Sequence, residues 1–143
     1  MKITIVDDNK RKREEIKKYI TETFLKLNIK TKPCFEEFSY RNEYIIYLRK
    51  NKEMKVEDLL ILDWNFPIYK DSFPKKGTGL FILNELNRLD LKIPVIICSS
   101  ETVETNDEDF TNVIGSIKED CFVYQLDEWM TLIEKFLTYK EKD

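Results

Sequence analysis

Five residue positions bring chemically useful groups to the ends of short apolar runs. Asp7 and Asp8 follow KITIV at 2–6, Asp63 closes DLLILD at 58–63, Ser99 follows IPVIIC at 93–98, and Lys118 follows NVIGSI at 112–117. Three carboxylates drawn to one edge repel one another unless a cation neutralises them. An oxygen-only donor set without His or Cys favours a hard ion such as Mg2+. A hydroxyl and an ammonium beside it are the donors that hold phosphoryl oxygens, and a carboxylate can accept a phosphoryl group. The chemistry implied is metal-assisted phosphoryl transfer onto Asp63. Taken singly, Asp8 reads as a helix cap, Ser99 as a loop serine and Lys118 as a surface lysine. Their shared position at strand ends sets them apart.

Composition narrows the alternatives. The 143 residues contain no histidine, which excludes a His-based triad, a His-containing zinc site and histidine acid–base chemistry. Charges nearly balance, 24 basic against 27 acidic for a net −3, so neither a broadly basic nucleic-acid binder nor a membrane-surface protein is expected. Only Gly77, Gly79 and Gly115 are glycines, too few for a P-loop or a Rossmann fingerprint. Cys34, Cys98 and Cys121 are widely spaced, contain no CxxC and read as reduced thiols. No run is long enough for a signal peptide or a spanning helix, and the expected location is the cytoplasm.

The elements that must carry these groups alternate along the chain. A buried strand at 2–6 precedes an amphipathic helix marked by Ile16, Ile20, Phe24 and Leu27, whose basic start Arg11-Lys12-Arg13 reads as a solvated face. A weaker strand is expected at 29–35, where Pro33 suggests a sheet edge or a strand end. Helices are expected at about 36–52, from Thr78, and around Leu126–Leu137, with strands at 58–63, 93–98 and 112–117. The acidic stretch 101–111 holds at most a short helix. Continuous apolarity means burial on both faces, hence helices on both sides of a mostly parallel sheet. The expected class is α/β, a doubly wound five-stranded parallel sheet in one domain over 1–143. Ligands of such sheets bind at the carboxyl ends of the strands.

VDD at 6–8, LLILDWNFP at 59–67, GL at 79–80 and PVIICSSE at 94–101 resemble the receiver domain of two-component response regulators. The likeness spans the chain, and DWNxP is similar to stand-alone, CheY-like members with a flavodoxin-like fold. The resemblance implies Asp63 as phosphoacceptor and Asp7 and Asp8 as the acidic pair, with Asp8 the more direct Mg2+ ligand. It also implies the Asn65 backbone carbonyl as a further ligand and Ser99 as the hydroxyl that bonds the phosphoryl group. Asn65 and Glu101 match positions that tune hydrolysis, and Lys118 matches the family's lysine. The expected donor is a sensor histidine kinase or histidine phosphotransfer protein, and the expected output is contact with a downstream protein. Such a chain is a phosphoacceptor that catalyses only its own phosphorylation and dephosphorylation. With 143 residues as a receiver alone, nucleic acid and membrane are not expected partners.

Departures from the family pattern are equally legible. Lys118 is followed by Glu119 rather than proline, and Gly115 and Ser116 stand where the family carries a switch aromatic. These favour an alternative, a receiver-like adaptor that binds proteins without phosphorylation. A phosphatase of the aspartate-nucleophile type is disfavoured, because Asn65 stands where those enzymes place a second aspartate. Pro67 and Gly79 enclose eleven residues where the family has three, an insertion at about 68–76 that includes Lys70, Lys75 and Lys76. The insertion reads as a surface loop or as a partial lid over the acceptor. If it is a lid, replacing 68–76 by a short turn changes the rate of phosphoryl gain or loss at Asp63; identical rates assign it to the surface alone.

Overall fold

The computed structural model describes residues 1–53, 57–100, 103, 110–118 and 126–141. Among the described residues there are five strands, β1 (Lys2–Val6), β2 (Cys34–Phe38), β3 (Leu59–Leu62), β4 (Val95–Ser99) and β5 (Val113–Lys118), and four helices. These are α1 (Lys10–Lys26), α2 (Arg41–Lys50), α3 (Thr78–Arg88) and α4 (Leu126–Glu141). All strand pairs are parallel, in the order β2-β1-β3-β4-β5. The expected five-stranded doubly wound sheet is the one observed.

Side-chain alternation divides the core into two layers. Ile3 and Ile5, Leu59 and Ile61, and Ile96 and Cys98 face α1 and α4, where Ile16, Ile20, Trp129, Ile133 and Phe136 cover them. Val6, Leu60, Leu62, Val95 and Ile97 face the other way, against Tyr44, Ile45 and Leu48 of α2 and Ile82, Leu83 and Leu86 of α3. Burying both faces of β1, β3 and β4 is why these strands carry no polar alternation.

The second strand lies later than its apolar pattern suggested, at Cys34–Phe38 rather than 29–35, and α2 accordingly begins at Arg41 rather than near 36. Pro33 precedes this strand, which does occupy the edge. The sequence CFEEF disguises it: Glu36 pairs with Lys2, and Glu37 pairs with Arg13 and Lys17 of α1. Charge on an edge strand also discourages strand addition from another chain.

Between β4 and β5 the register shifts, so that Val95 pairs with Val113 but Ile96 with Gly115. This irregularity restores Ile117 to the α4 side opposite Cys98. A Cβ at Gly115 would lie 2.5 Å from Leu132 Cδ2, the far end of a side chain on α4, which would have to turn aside. The 101–111 stretch lies mostly outside the described residues, as does Cys121. Cys98 is buried and Cys34 exposed. Among the described residues no helix is long and apolar enough to cross a membrane.

One acid is buried away from the strand ends of interest. Glu57, just before β3, is 3 % exposed and accepts a hydrogen bond from the Tyr44 hydroxyl. Burial pushes its carboxyl up to about 7, against the smaller opposing pull of Tyr44 and Lys2. The folded state therefore holds this proton more tightly than the unfolded chain does. The resulting stability is fully present below the ordinary glutamate pKa and is lost as pH rises through 7. Glu57→Gln keeps an acceptor for Tyr44 without the charge. Chemical denaturation from pH 5 to 8 should show a flatter profile for this variant and an advantage at pH 8 on the order of 2–3 kcal/mol. Parallel profiles for the two proteins would refute this.

Candidate functional site

The carboxyl ends of β1, β3 and β4 open into a cavity of about 200 Å³ lined by Asp7, Asp8, Asn9, Lys12, Asp63, Asn65, Ser99 and Ser100. Continuing the alternation of their strands, Asp7 follows Ile5 and Asp63 follows Ile61 toward the α1 side of the sheet. Ser99 follows Ile97 toward the opposite side. Asp7, Asp63 and Ser99 are buried, whereas Asp8 is exposed. One carboxylate oxygen from each of Asp7, Asp8 and Asp63 lies within 4.8 Å of the others.

Short hydrogen bonds fix the framework. Asn9 caps α1, its side chain accepting from the Lys12 amide at 3.1 Å, while its own amide donates to Asp7 Oδ1 at 2.9 Å. The Trp64 amide donates to Asp63 Oδ1 at 2.8 Å. Asn65 Oδ1 accepts from the Gly77 amide at 3.1 Å, and Thr78 Oγ1 accepts from the Phe66 amide at 2.8 Å. The loop after Asp63 is thus tied to the first turn of α3, where Gly77 takes a left-handed conformation with φ +88°.

The unexpected member is Lys12. Its triplet reads as a solvated helix start, but Lys12 is only 6 % exposed. Its ammonium lies 2.6 Å from Asp7 Oδ2 and 3.5 Å from Asp63 Oδ1, and it donates to the Cys98 carbonyl at 3.1 Å. Burial by itself disfavours the ammonium, yet the negative charges around it, Asp7 foremost, hold it protonated above the ordinary lysine range. Helical spacing contained the signal: Lys12, Ile16, Ile20 and Phe24 succeed one another at four-residue intervals on one buried face. The neighbours differ in their surroundings. Arg11 is exposed, and Arg13 donates to the Asp7 carbonyl at 2.6 Å and to Glu37.

Lys118 is placed otherwise. It pairs in register with Ser99 at the end of β5, its side chain is exposed, and it does not line the cavity. Because Ile117 faces α1 and α4, Lys118 points to the other side of the sheet from Lys12. Glu101 lies outside the described residues. The insertion does not cover the cavity either. Pro67 and Ile68 offer their carbonyls to the amides of Arg41 and Asn42 at the start of α2, and Lys75 bridges back to Phe66. Pro67, Tyr69, Lys70, Asp71 and Ser72 line a separate groove, which shares Asp8 with the acidic site.

The donor set suits a hard divalent cation: oxygen ligands, three carboxylates and one of them open to solvent. Lys12 offsets part of the charge of this cluster through Asp7 and Asp63.

No protein-family model and no curated protein sequence matches the chain. Solved structures do. A Francisella response-regulator receiver domain aligns over 99% of this chain and 98% of its own at 20% identity, TM-score 0.60. TrrA of Thermotoga maritima, a response regulator solved in complex with Mg2+-BeF, aligns over 94% and 97% at 17% identity, TM-score 0.64. A response-regulator receiver protein of Pseudoalteromonas atlantica aligns over 98% and 99% at 12% identity, TM-score 0.64. The chain has the receiver-domain fold.

Within that fold Gly79 meets a packing requirement beside the acceptor. A Cβ there would lie 2.7 Å from the Asp63 carbonyl oxygen and 2.9 Å from Trp64 Cα, backbone atoms that cannot rotate away. Gly79→Ala should cost about 1–3 kcal/mol of unfolding free energy and displace the loop carrying Asp63. Urea denaturation reads the cost; an unchanged midpoint would show that α3 can shift freely.

Proposed function

We propose that this chain is a response-regulator receiver that accepts a phosphoryl group from a partner histidine onto Asp63. The observation that carries the reading is the convergence of Asp7, Asp8, Asp63, Asn65 and Ser99 in one cavity at the strand ends. In the transfer the P–N bond of the donor's phosphohistidine breaks and a P–O bond forms to an Asp63 carboxylate oxygen. The departing imidazole keeps the electron pair and takes a proton. Asp63 is held for attack by the Trp64 amide, and Ser99, buried on the adjoining strand, supplies a hydroxyl toward the transferred oxygens. Asp8, Asp63 and the Asn65 backbone carbonyl would hold Mg2+, with Asp7 behind them, and the bound ion would neutralise charge on the phosphoryl oxygens.

The donor is a sensor histidine kinase or a histidine phosphotransfer protein. The output is a shifted surface equilibrium read by a downstream protein in the cytoplasm, without nucleic acid or membrane as partner. The chain is no enzyme toward external substrates; it acts on its own phosphoryl group. One observation favours the adaptor alternative: Lys12 already balances part of the acidic charge, which lets the carboxylates lie together without a bound ion.

Intact-mass measurement after incubation with acetyl phosphate and Mg2+ separates the two. The regulator predicts one phosphoryl adduct, lost in Asp63→Asn. Absence of any adduct together with absence of Mg2+ binding would establish the adaptor, and steady hydrolysis of unrelated phosphate esters would point to a phosphatase.

A further inference from the structure

We propose that the ammonium serving the acceptor site is Lys12, entering from the first turn of α1, and that Lys118 does not have this role. The assignment deepens the phosphoacceptor reading and rests on it for the transfer step, though not for the ion-binding behaviour. Three independent features support it. Lys12 is buried and lines the cavity, at 2.6 Å from Asp7 and 3.5 Å from Asp63. Alternation along β1 and β3 brings Asp7 and Asp63 to the α1 side of the sheet, from which Lys12 enters, whereas Lys118 at the end of β5 is exposed and does not line the cavity. The N-cap at Asn9 and the Lys12–Cys98 carbonyl bond fix the route by which the Lys12 stem reaches the pocket.

Two consequences follow from one fixed positive charge at this point. Before transfer, Lys12 shares Asp7 and Asp63 with any divalent cation, and like charges within a few ångströms oppose each other. Lys12 therefore weakens Mg2+ binding while keeping the cluster intact without it. During transfer, a phosphoryl group on Asp63 adds negative oxygens near this ammonium, whose flexible stem lets it follow them as a point charge.

The test compares Lys12→Met with Lys118→Met in the full chain. Magnesium titration without any phosphodonor, followed by fluorescence of Trp64 beside Asp63, should show at least fivefold tighter binding in Lys12→Met than in the wild type. Unchanged or weaker binding overturns the assignment, whatever the outcome of phosphorylation. With acetyl phosphate, the initial rate of adduct formation should fall at least tenfold further in Lys12→Met than in Lys118→Met; an equal or reversed order overturns it. A wild type that forms no adduct defeats the phosphoacceptor reading, and the magnesium titration then decides the lysine assignment alone. If Lys12→Met fails to fold, 15N NMR of the lysine ammonium groups in the wild type replaces it. The Lys12 resonance should exchange slowly with water and move on adding Mg2+ with beryllofluoride, more than that of Lys118. A larger movement at Lys118 refutes the proposal.

Discussion

Repulsion among Asp7, Asp8 and Asp63 is the constraint around which this site is organised. Two of the three carboxylates are buried, and an isolated buried charge is far costlier than any single packing contact. The fold meets that cost with Lys12, whose ammonium touches Asp7, reaches toward Asp63 and is completed by the Cys98 carbonyl. The same contact ties α1 to the ends of β1, β3 and β4. A basic first turn is ordinarily unfavourable at a positive helix N-terminus, and α1 has no acidic residue there to offset it. The aspartates just before the helix supply that compensation. Each element is thus made tolerable by the other.

The sheet positions the groups through parity. A period of two sends Asp7 and Asp63 to one side of the sheet edge and Ser99 to the other, so that the cavity is flanked by carboxylates on the α1 side and a hydroxyl opposite. The irregular register between β4 and β5 sets which way Lys118 faces. Gly79 and Gly77 allow α3 to begin directly against the acceptor loop. The insertion at 68–76 attaches to the start of α2 and shapes a neighbouring groove that reaches Asp8, a placement beside the acceptor rather than over it.

Much of this was legible in the residues. Apolar runs ended by polar groups located β1, β3, β4 and β5 to within one or two positions, and with them the acidic cluster; in β1, β3 and β4 burial on both faces leaves a continuous apolar pattern, and the half-exposed β5 keeps a shorter one. The edge strand was displaced because CFEEF satisfies its glutamates with Lys2, Arg13 and Lys17, contacts between elements that no local pattern encodes. Lys12 was overlooked for the opposite reason. Its spacing from Ile16 and Ile20 placed it on the buried face, but its membership of a basic triplet outweighed that spacing. The reason to bury a lysine lay in Asp7 just before the helix together with Asp63 and the Cys98 carbonyl, which only the fold brings to it.

The most direct test of the account is a crystal structure of the full chain grown with Mg2+ and beryllofluoride, a stable mimic of a phosphoryl group. The account predicts beryllofluoride on an Asp63 carboxylate oxygen, with the Lys12 ammonium in contact with Asp63 or a fluoride and Lys118 outside the cavity. A structure in which Lys12 turns out to solvent and Lys118 takes its place, or in which Asp63 remains bare at saturating beryllofluoride, would contradict it.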